Sequence, residues 1–186
     1  MATSPNIAKK NSVFIASSLD GFIADQNGSI DWLHSFPNPD NIDMGYAEFM
    51  AQIDAIVMGR TTFETVCNFD MEWPYRQTVF VLSNTLQQIP STHRNKAQLV
   101  RGSVKEILAQ IHQQNYHRLY IDGGKTIQHF LREDAIDEMI ITTIPILLGD
   151  GYRLFGELPH PLSFRCAESK IFLEGIVQNR FCKMKK

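Results

Sequence analysis

The chain has 186 residues, 44% of them apolar and 20% charged, with a formal net charge of -2. That length suits one domain with a sizeable core, and no basic surplus marks a nucleic-acid surface or a membrane patch. Cys67, Cys166 and Cys182 stand far apart with no C-x-x-C, which indicates neither a zinc site nor a disulfide framework and fits a reducing, cytoplasmic compartment.

Residues 1–11 are polar and read as a disordered leader, with a single domain over 12–186. Ser12 to Ser17 reads as a buried strand. Leu19 to Ala24 follows, then a turn-rich loop over Asp25 to Ser29, then Ile30-Asp31-Trp32-Leu33. Tyr46, Phe49, Met50 and Ile53 fall at i, i+3, i+4, i+7, which predicts an amphipathic helix. Ala55 to Met58 is a short apolar strand. Thr61 and Glu64 have capping-box spacing, which predicts a helix start there. Thr78 to Leu82 and Gln98 to Val100 are further strands. Ser103 and Glu106 repeat the capping box ahead of a helix whose buried face is Val104, Ile107, Leu108 and Ile111.

Arg118 to Asp122 reads as a buried strand and Thr126 to Arg132 as a helix, joined by Gly123 and Gly124. Glycines at such a turn let another backbone or a phosphate come close, and the helix start offers unpaired N–H groups. Glu138 to Ile146 is a β-branched strand, Leu148 to Gly151 a turn, and 164–170 with 176–183 a closing hairpin. Strands alternating with helices, then a hairpin, predict a mainly parallel sheet covered on both faces, with antiparallel strands added last. Ligands then sit at the carboxyl ends of the strands.

Candidate site residues all follow strands. Gly59-Arg60-Thr61-Thr62 combines a glycine, a fixed cation and two hydroxyls at a helix start, the groups a pyrophosphate needs; Thr61 as a simple cap is the competing reading. Leu82-Ser83-Asn84 offers small polar donors suited to an adenosine 2′-phosphate, or is an ordinary strand exit. Asp20 and Asp31 flank the glycine-containing loop and are candidates to bind or protonate a substrate; as plain alternatives, Asp20 starts a turn and Asp31 caps the segment at Trp32. The six histidines show no metal-ligand spacing.

Four segments together resemble the dihydrofolate-reductase-like superfamily, in the branch that includes the C-terminal reductase domain of bacterial riboflavin biosynthesis: Ser17 to Ala24, Val57 to Glu64, Leu119 to Leu131, and Ile144 to Gly151 with Leu154-Phe155. The resemblance implies a three-layer α/β/α sandwich with a mixed, mostly parallel central sheet that binds NADPH. It implies cofactor contacts at Ala16, Gly59, Arg60, Thr61, Thr62, Leu82, Ser83, Asn84, Gly123, Gly124, Lys125 and Thr126, with a cis peptide frequent at the diglycine. It implies a mobile loop from Asp20 to Trp32, substrate contacts at Asp20, Phe22, Trp32 and Ile144, and a possible homodimer; the residues themselves offer Asp20 or Asp31, or an ordered water they hold, as the catalytic proton source, and no metal site. The implied activity is NADPH-dependent reduction of a small heterocyclic or sugar-linked metabolite, best matched by 5-amino-6-(5-phosphoribosylamino)uracil. The alternatives are dihydrofolate reductase activity and an NADPH- or flavin-binding module without turnover. The sequence departs from the riboflavin reductases at Phe22, where they usually carry Lys or Arg.

Overall fold

The computed structural model describes residues 8–184. Its strands are β1 (Lys10–Ser18), β2 (Phe22–Ala24), β3 (Ala55–Gly59), β4 (Thr78–Leu82), β5 (Ala97–Val100), β6 (Arg118–Asp122), β7 (Glu138–Ile144), β8 (Tyr152–Arg153), β9 (Phe164–Phe172) and β10 (Ile176–Lys183). Eight of them form one sheet in the order β5-β4-β3-β6-β1-β7-β10-β9, and β2 pairs with β8 in a separate ribbon. The run from β5 to β7 is parallel; β10 and β9 join antiparallel.

The helices are α1 (Tyr46–Met50), α2 (Arg60–Cys67), α3 (Val104–Gln113) and α4 (Gly124–Arg132). The central strands carry apolar residues on both faces, so each face needs a helical cover. Ala55 and Val57 of β3 pack with Val104, Ile107, Ile127 and Phe130 of α3 and α4. Ile56 and Met58 of the same strand pack on the other side with Phe49 and Phe63 of α1 and α2. The expected three-layer α/β/α sandwich with a mixed, mostly parallel sheet is what the chain forms.

Several boundaries differ from the sequence reading. Lys10 and Asn11, assigned to the leader, already belong to β1, because the Lys10 ammonium pairs with the buried Glu138 carboxylate at 2.7 Å; residues 1–7 lie outside the described residues. The capping box forms at Ser103, where the side chain accepts from the Glu106 N–H and Glu106 Oε2 accepts from the Ser103 N–H. It does not form at Thr61. There the cap is Gly59, two residues earlier, and Glu64 instead accepts two hydrogen bonds from Arg60 at 3.1 and 3.3 Å. Helix α4 starts at Gly124, so Gly123 alone makes the turn, at φ +86°. Strand β7 ends at Ile144, before Pro145, which has no N–H for the ladder. The β2–β8 ribbon was not foreseen.

One feature of the sheet opens the site. β1 pairs with β6 only from Lys10/Arg118 to Ser12/Tyr120. Beyond that point β1 stays paired with β7 as far as Ser18, while β6 stays paired with β3 as far as Asp122. The two central strands therefore part at their carboxyl ends. The Phe14 carbonyl, freed from the ladder, accepts a hydrogen bond from the Tyr120 hydroxyl at 2.8 Å. The gap falls where the chain reverses its direction across the sheet, after stepping from β3 to β5 and returning through β6, which is where open α/β sheets bind ligands.

Candidate active site

On one side of the gap the ends of β3, β4 and β6 bring predicted residues together. Gly59 is the register partner of Leu82, and Met58 that of Asp122, so Gly59, Ser83 and Gly123 follow adjacent strand tips. The two helix starts interlock. A Cβ on Gly123 would collide with the Thr62 hydroxyl, and one on Gly59 would sit 3.1 Å from the Thr126 hydroxyl. A Cβ on Gly124 would meet Ile23 Cδ1 at 2.5 Å. The diglycine is thus required by the protein's own close packing of α2, α4 and β2. The peptide bonds of the described residues are all trans, including the one expected to be cis.

Arg60 is exposed and lines an open depression of about 540 Å³ with Thr85, Leu86, Gln87 and Gln88. Ser83 builds the adjoining turn, its hydroxyl accepting from the Leu86 and Thr85 N–H groups at 2.9 and 3.2 Å. Thr61, Asn84 and Lys125 are exposed, Ala16, Thr62 and Leu82 half-buried, and Thr126 buried. Arg101, which the sequence reading missed, sits at the end of β5. Its guanidinium reaches across to the Ser83 and Leu86 carbonyls at 3.2 and 2.6 Å, adding a second cation to this rim. A cation directly after a strand exit was the available signal.

The same side of the gap also holds, at the tip of β6, a carboxyl group that the sequence reading missed. Asp122 ends β6, and its carboxyl is enclosed by protein although the residue keeps some surface. It accepts the Gly123 N–H at 2.8 Å. Burial pushes its pKa above the usual carboxylate range, partly opposed by that N–H and by Tyr120. Its charge in turn adds to the raised pKa values of Tyr46, pushed up to about 12, and of Tyr75 and Tyr120, where burial is the larger cause. A carboxyl with a raised pKa at the end of a central strand, close enough to three tyrosines to raise theirs, is a candidate proton-exchanging group.

Asp20 has the opposite environment. The Ser18 hydroxyl donates to it at 2.6 Å, and the Leu148 and Gly149 N–H groups at 3.2 and 2.8 Å. Led by the Ser18 bond, these hold its pKa down to about 2. A carboxylate ionised at every physiological pH is no proton donor. The geometry makes Asp20 a latch between the β1–β2 stem and the turn after β7. Asp31 is exposed in a 3-10 helix over Asp31–Ser35, so it lacks the desolvated setting expected of it. Phe22 is not a surface for substrate either. It is 3% exposed, with the Arg153 guanidinium 4.7 Å from its ring centroid. Ile144 is buried. Trp32 is half-buried, with its indole N–H enclosed and without a hydrogen-bond partner among the described residues. Among those residues no group of three His, Cys, Asp or Glu is placed to hold a metal, and no helix is long and apolar enough to cross a membrane.

A sandwich of this topology, split at the switch point with the diglycine at the split, is a dihydrofolate-reductase-like domain of the riboflavin-reductase type. The chain belongs to the RibD C-terminal domain family, whose pattern matches residues 10–178. It is similar to a crystal structure from Shewanella sp. PV-4, assigned provisionally to riboflavin biosynthesis, with 49% identity and a TM-score of 0.92 over 95% of this chain and 99% of that one. It is 34% identical to the uncharacterized protein YwjB of Bacillus subtilis (strain 168) over 90% of this chain and 95% of that one. It shares its fold with a Thermotoga maritima diaminohydroxyphosphoribosylaminopyrimidine deaminase/5-amino-6-(5-phosphoribosylamino)uracil reductase at 16% identity and a TM-score of 0.74. There 95% of this chain covers 57% of the other.

Proposed function

We propose that this chain is an NADPH-dependent reductase of a small heterocyclic or sugar-linked metabolite, with 5-amino-6-(5-phosphoribosylamino)uracil as its best-matched substrate. The single observation that carries the reading is the parting of β1 and β6 at the switch point, with the raised-pKa Asp122 at the tip of β6 and two cations further along the same edge, after β3 and β5.

The residues fit the cofactor. Arg60 and Arg101 are the charged donors for its phosphates, and the start of α2 adds backbone N–H groups. Ala16 of β1 and the Gly123–Gly124 turn after β6 lie on the two strands that part, and they would hold its nicotinamide ring. When bound, NADPH supplies a hydride to a polarised C=N or C=O carbon. Asp122 holds the proton that the substrate heteroatom takes up, so that one hydride and one proton complete the reduction. Its raised pKa keeps a larger share of the protonated form near neutrality than a solvated aspartate would. Burial keeps water from that carboxyl, and the Gly123 N–H orients it. The ordered latch at Asp20 holds the covering ribbon.

The test is fluorescence titration with NADPH, NADH, FMN and dihydrofolate, followed by NADPH oxidation with the pyrimidine and, separately, with dihydrofolate. The reading expects saturable NADPH binding and turnover with the pyrimidine. NADPH binding without turnover on either compound removes both named activities, and preference for FMN removes the cofactor assignment.

A further inference from the structure

We infer that Arg153 is a specificity-determining residue of the cleft, the receptor for an anionic group, such as a phosphate monoester, carried by the substrate. This rests on the reductase reading above.

The residue is fixed in three ways. Its strand pairs with β2, where Phe22 is its direct partner. Its carbonyl accepts from Gln128 Nε2 of α4 at 2.8 Å, and the next N–H, that of Leu154, donates to the Gly21 carbonyl at 2.9 Å. Its guanidinium lies over the buried Phe22 ring. Stacking on an aromatic face holds a guanidinium flat and leaves its N–H edge open for planar, bidentate contact with phosphate or carboxylate.

That edge is unused. Among the described residues the Arg153 guanidinium has no hydrogen-bond or ion-pair partner, a state it shares with Arg76, Arg94 and Arg165, while Arg60, Arg101, Arg118, Arg132 and Arg180 each reach a protein acceptor; what sets Arg153 apart is its seat on the Phe22 ring. Carboxylates of the adjoining loops are engaged elsewhere. Asp25 accepts from the Asn27 and Ser29 N–H groups, Asp150 from the Gly151 N–H, and Asp20 is closed by its three donors. The result is an oriented positive charge with no internal neutraliser.

Its position assigns the ligand. The Arg153 carbonyl lies 3.6 Å from where a Cβ on Gly124 would stand, so the residue borders the diglycine. Arg60 and Arg101 lie beyond it, at the tips of β3 and β5, and serve the dinucleotide. Arg153 rises from the ribbon made by the segments after β1 and β7, which closes on the start of α4 at the diglycine, and the second ligand is assigned to that end of the cleft.

The experiment is calorimetric titration of ribose 5-phosphate, with ribose as the uncharged control, into wild type, Arg153→Gln, Arg153→Lys and Phe22→Leu, each with and without NADPH. Wild type is expected to bind ribose 5-phosphate and not ribose. Arg153→Gln weakens that binding about tenfold or more, as loss of a charged hydrogen-bonding group does. Arg153→Lys restores part of it. Phe22→Leu, which keeps the charge and loses the stacking, weakens it by a smaller factor, while NADPH affinity stays within about twofold. Equal affinity in wild type and Arg153→Gln, or no binding by wild type, overturns the assignment. So does a loss confined to NADPH, which would give the guanidinium to the cofactor. Failure of the reductase reading looks different: no NADPH oxidation by wild type, with the ribose 5-phosphate contrast between variants intact.

Discussion

Two carboxylates, placed on opposite sides of one gap, have been driven apart by their surroundings. Asp20 sits in a stem of tight turns that aims a hydroxyl and two backbone N–H groups at it, and its pKa falls to about 2. Asp122 ends a buried strand among tyrosines with one backbone donor, and its pKa rises. Both are aspartates beside a glycine, Asp20-Gly21 and Asp122-Gly123. What separates them is the number of donors against the depth of burial. Environments that push two titratable groups in opposite directions divide their roles: the ionised one holds structure, the protonatable one handles protons.

The sharpest way to break this contrast is Asp122→Asn. Turnover is expected to fall by about 10²–10⁴-fold, the range for loss of a positioned proton donor. The fold should not suffer. A carboxyl whose folded pKa lies above its unfolded value binds its proton more tightly in the native state, so its contribution to stability is lost as pH rises from the unfolded pKa through the folded one. At neutral pH the ionised group is therefore a burden, and thermal melts of Asp122→Asn should match or exceed wild type. An activity loss accompanied by a lower melting temperature would mean a structural role.

Arg60→Ala and Arg101→Ala probe the rim further along the same edge, after β3 and β5. Each is expected to weaken NADPH binding by about tenfold, read by fluorescence titration, since each removes a charged donor. Gly123→Ala tests the turn next to Asp122. It demands φ +86° of an alanine and drives its Cβ into the Thr62 hydroxyl, so denaturant titration should show a loss of about 1–3 kcal/mol.

Asp20→Ala should lower the melting temperature and reduce turnover without moving the pH profile, because the latch positions the ribbon and carries no proton. Its stabilising effect in wild type is present above the unfolded pKa of 3.8 and fades as pH falls toward about 2, so the melting-temperature gap between wild type and variant should close over that window. The smallest effect is expected for the exposed Asp31→Asn, with stability within about 0.5 kcal/mol of wild type.

Much of the fold was legible because the periodicities are strong. Thr78–Leu82 and Arg118–Asp122 form as the apolar runs suggest, and Ser103 caps α3 as its spacing suggests. The rim at Gly59, Arg60, Ser83 and Gly123 was legible because each follows a strand end, and parallel strands gather their carboxyl ends on one edge. The interior of the gap was not. Thr61 and Glu64 have the right spacing for a capping box, yet Arg60 captures Glu64 first. Asp20 reads as a free acid in sequence, and its donors at Leu148 and Gly149 come from about 130 residues away along the chain. Asp122 reads as the end of a strand. Tyr46 and Tyr75, which feel its charge, come from other segments, and neither desolvation nor the parting of β1 from β6 has a local signature. Phe22 reads as a lost cation, and only the β2–β8 pairing sets Arg153 above it.

The most direct measurement is the pH dependence of kcat/KM for NADPH oxidation with 5-amino-6-(5-phosphoribosylamino)uracil, in wild type and Asp122→Asn. Asp122 as the proton donor requires a wild-type rate that declines about tenfold per pH unit above its raised pKa and a variant that is slow, with that limb gone. Oxidation that is absent in wild type, or that keeps the same rate and the same limb in Asp122→Asn, contradicts it.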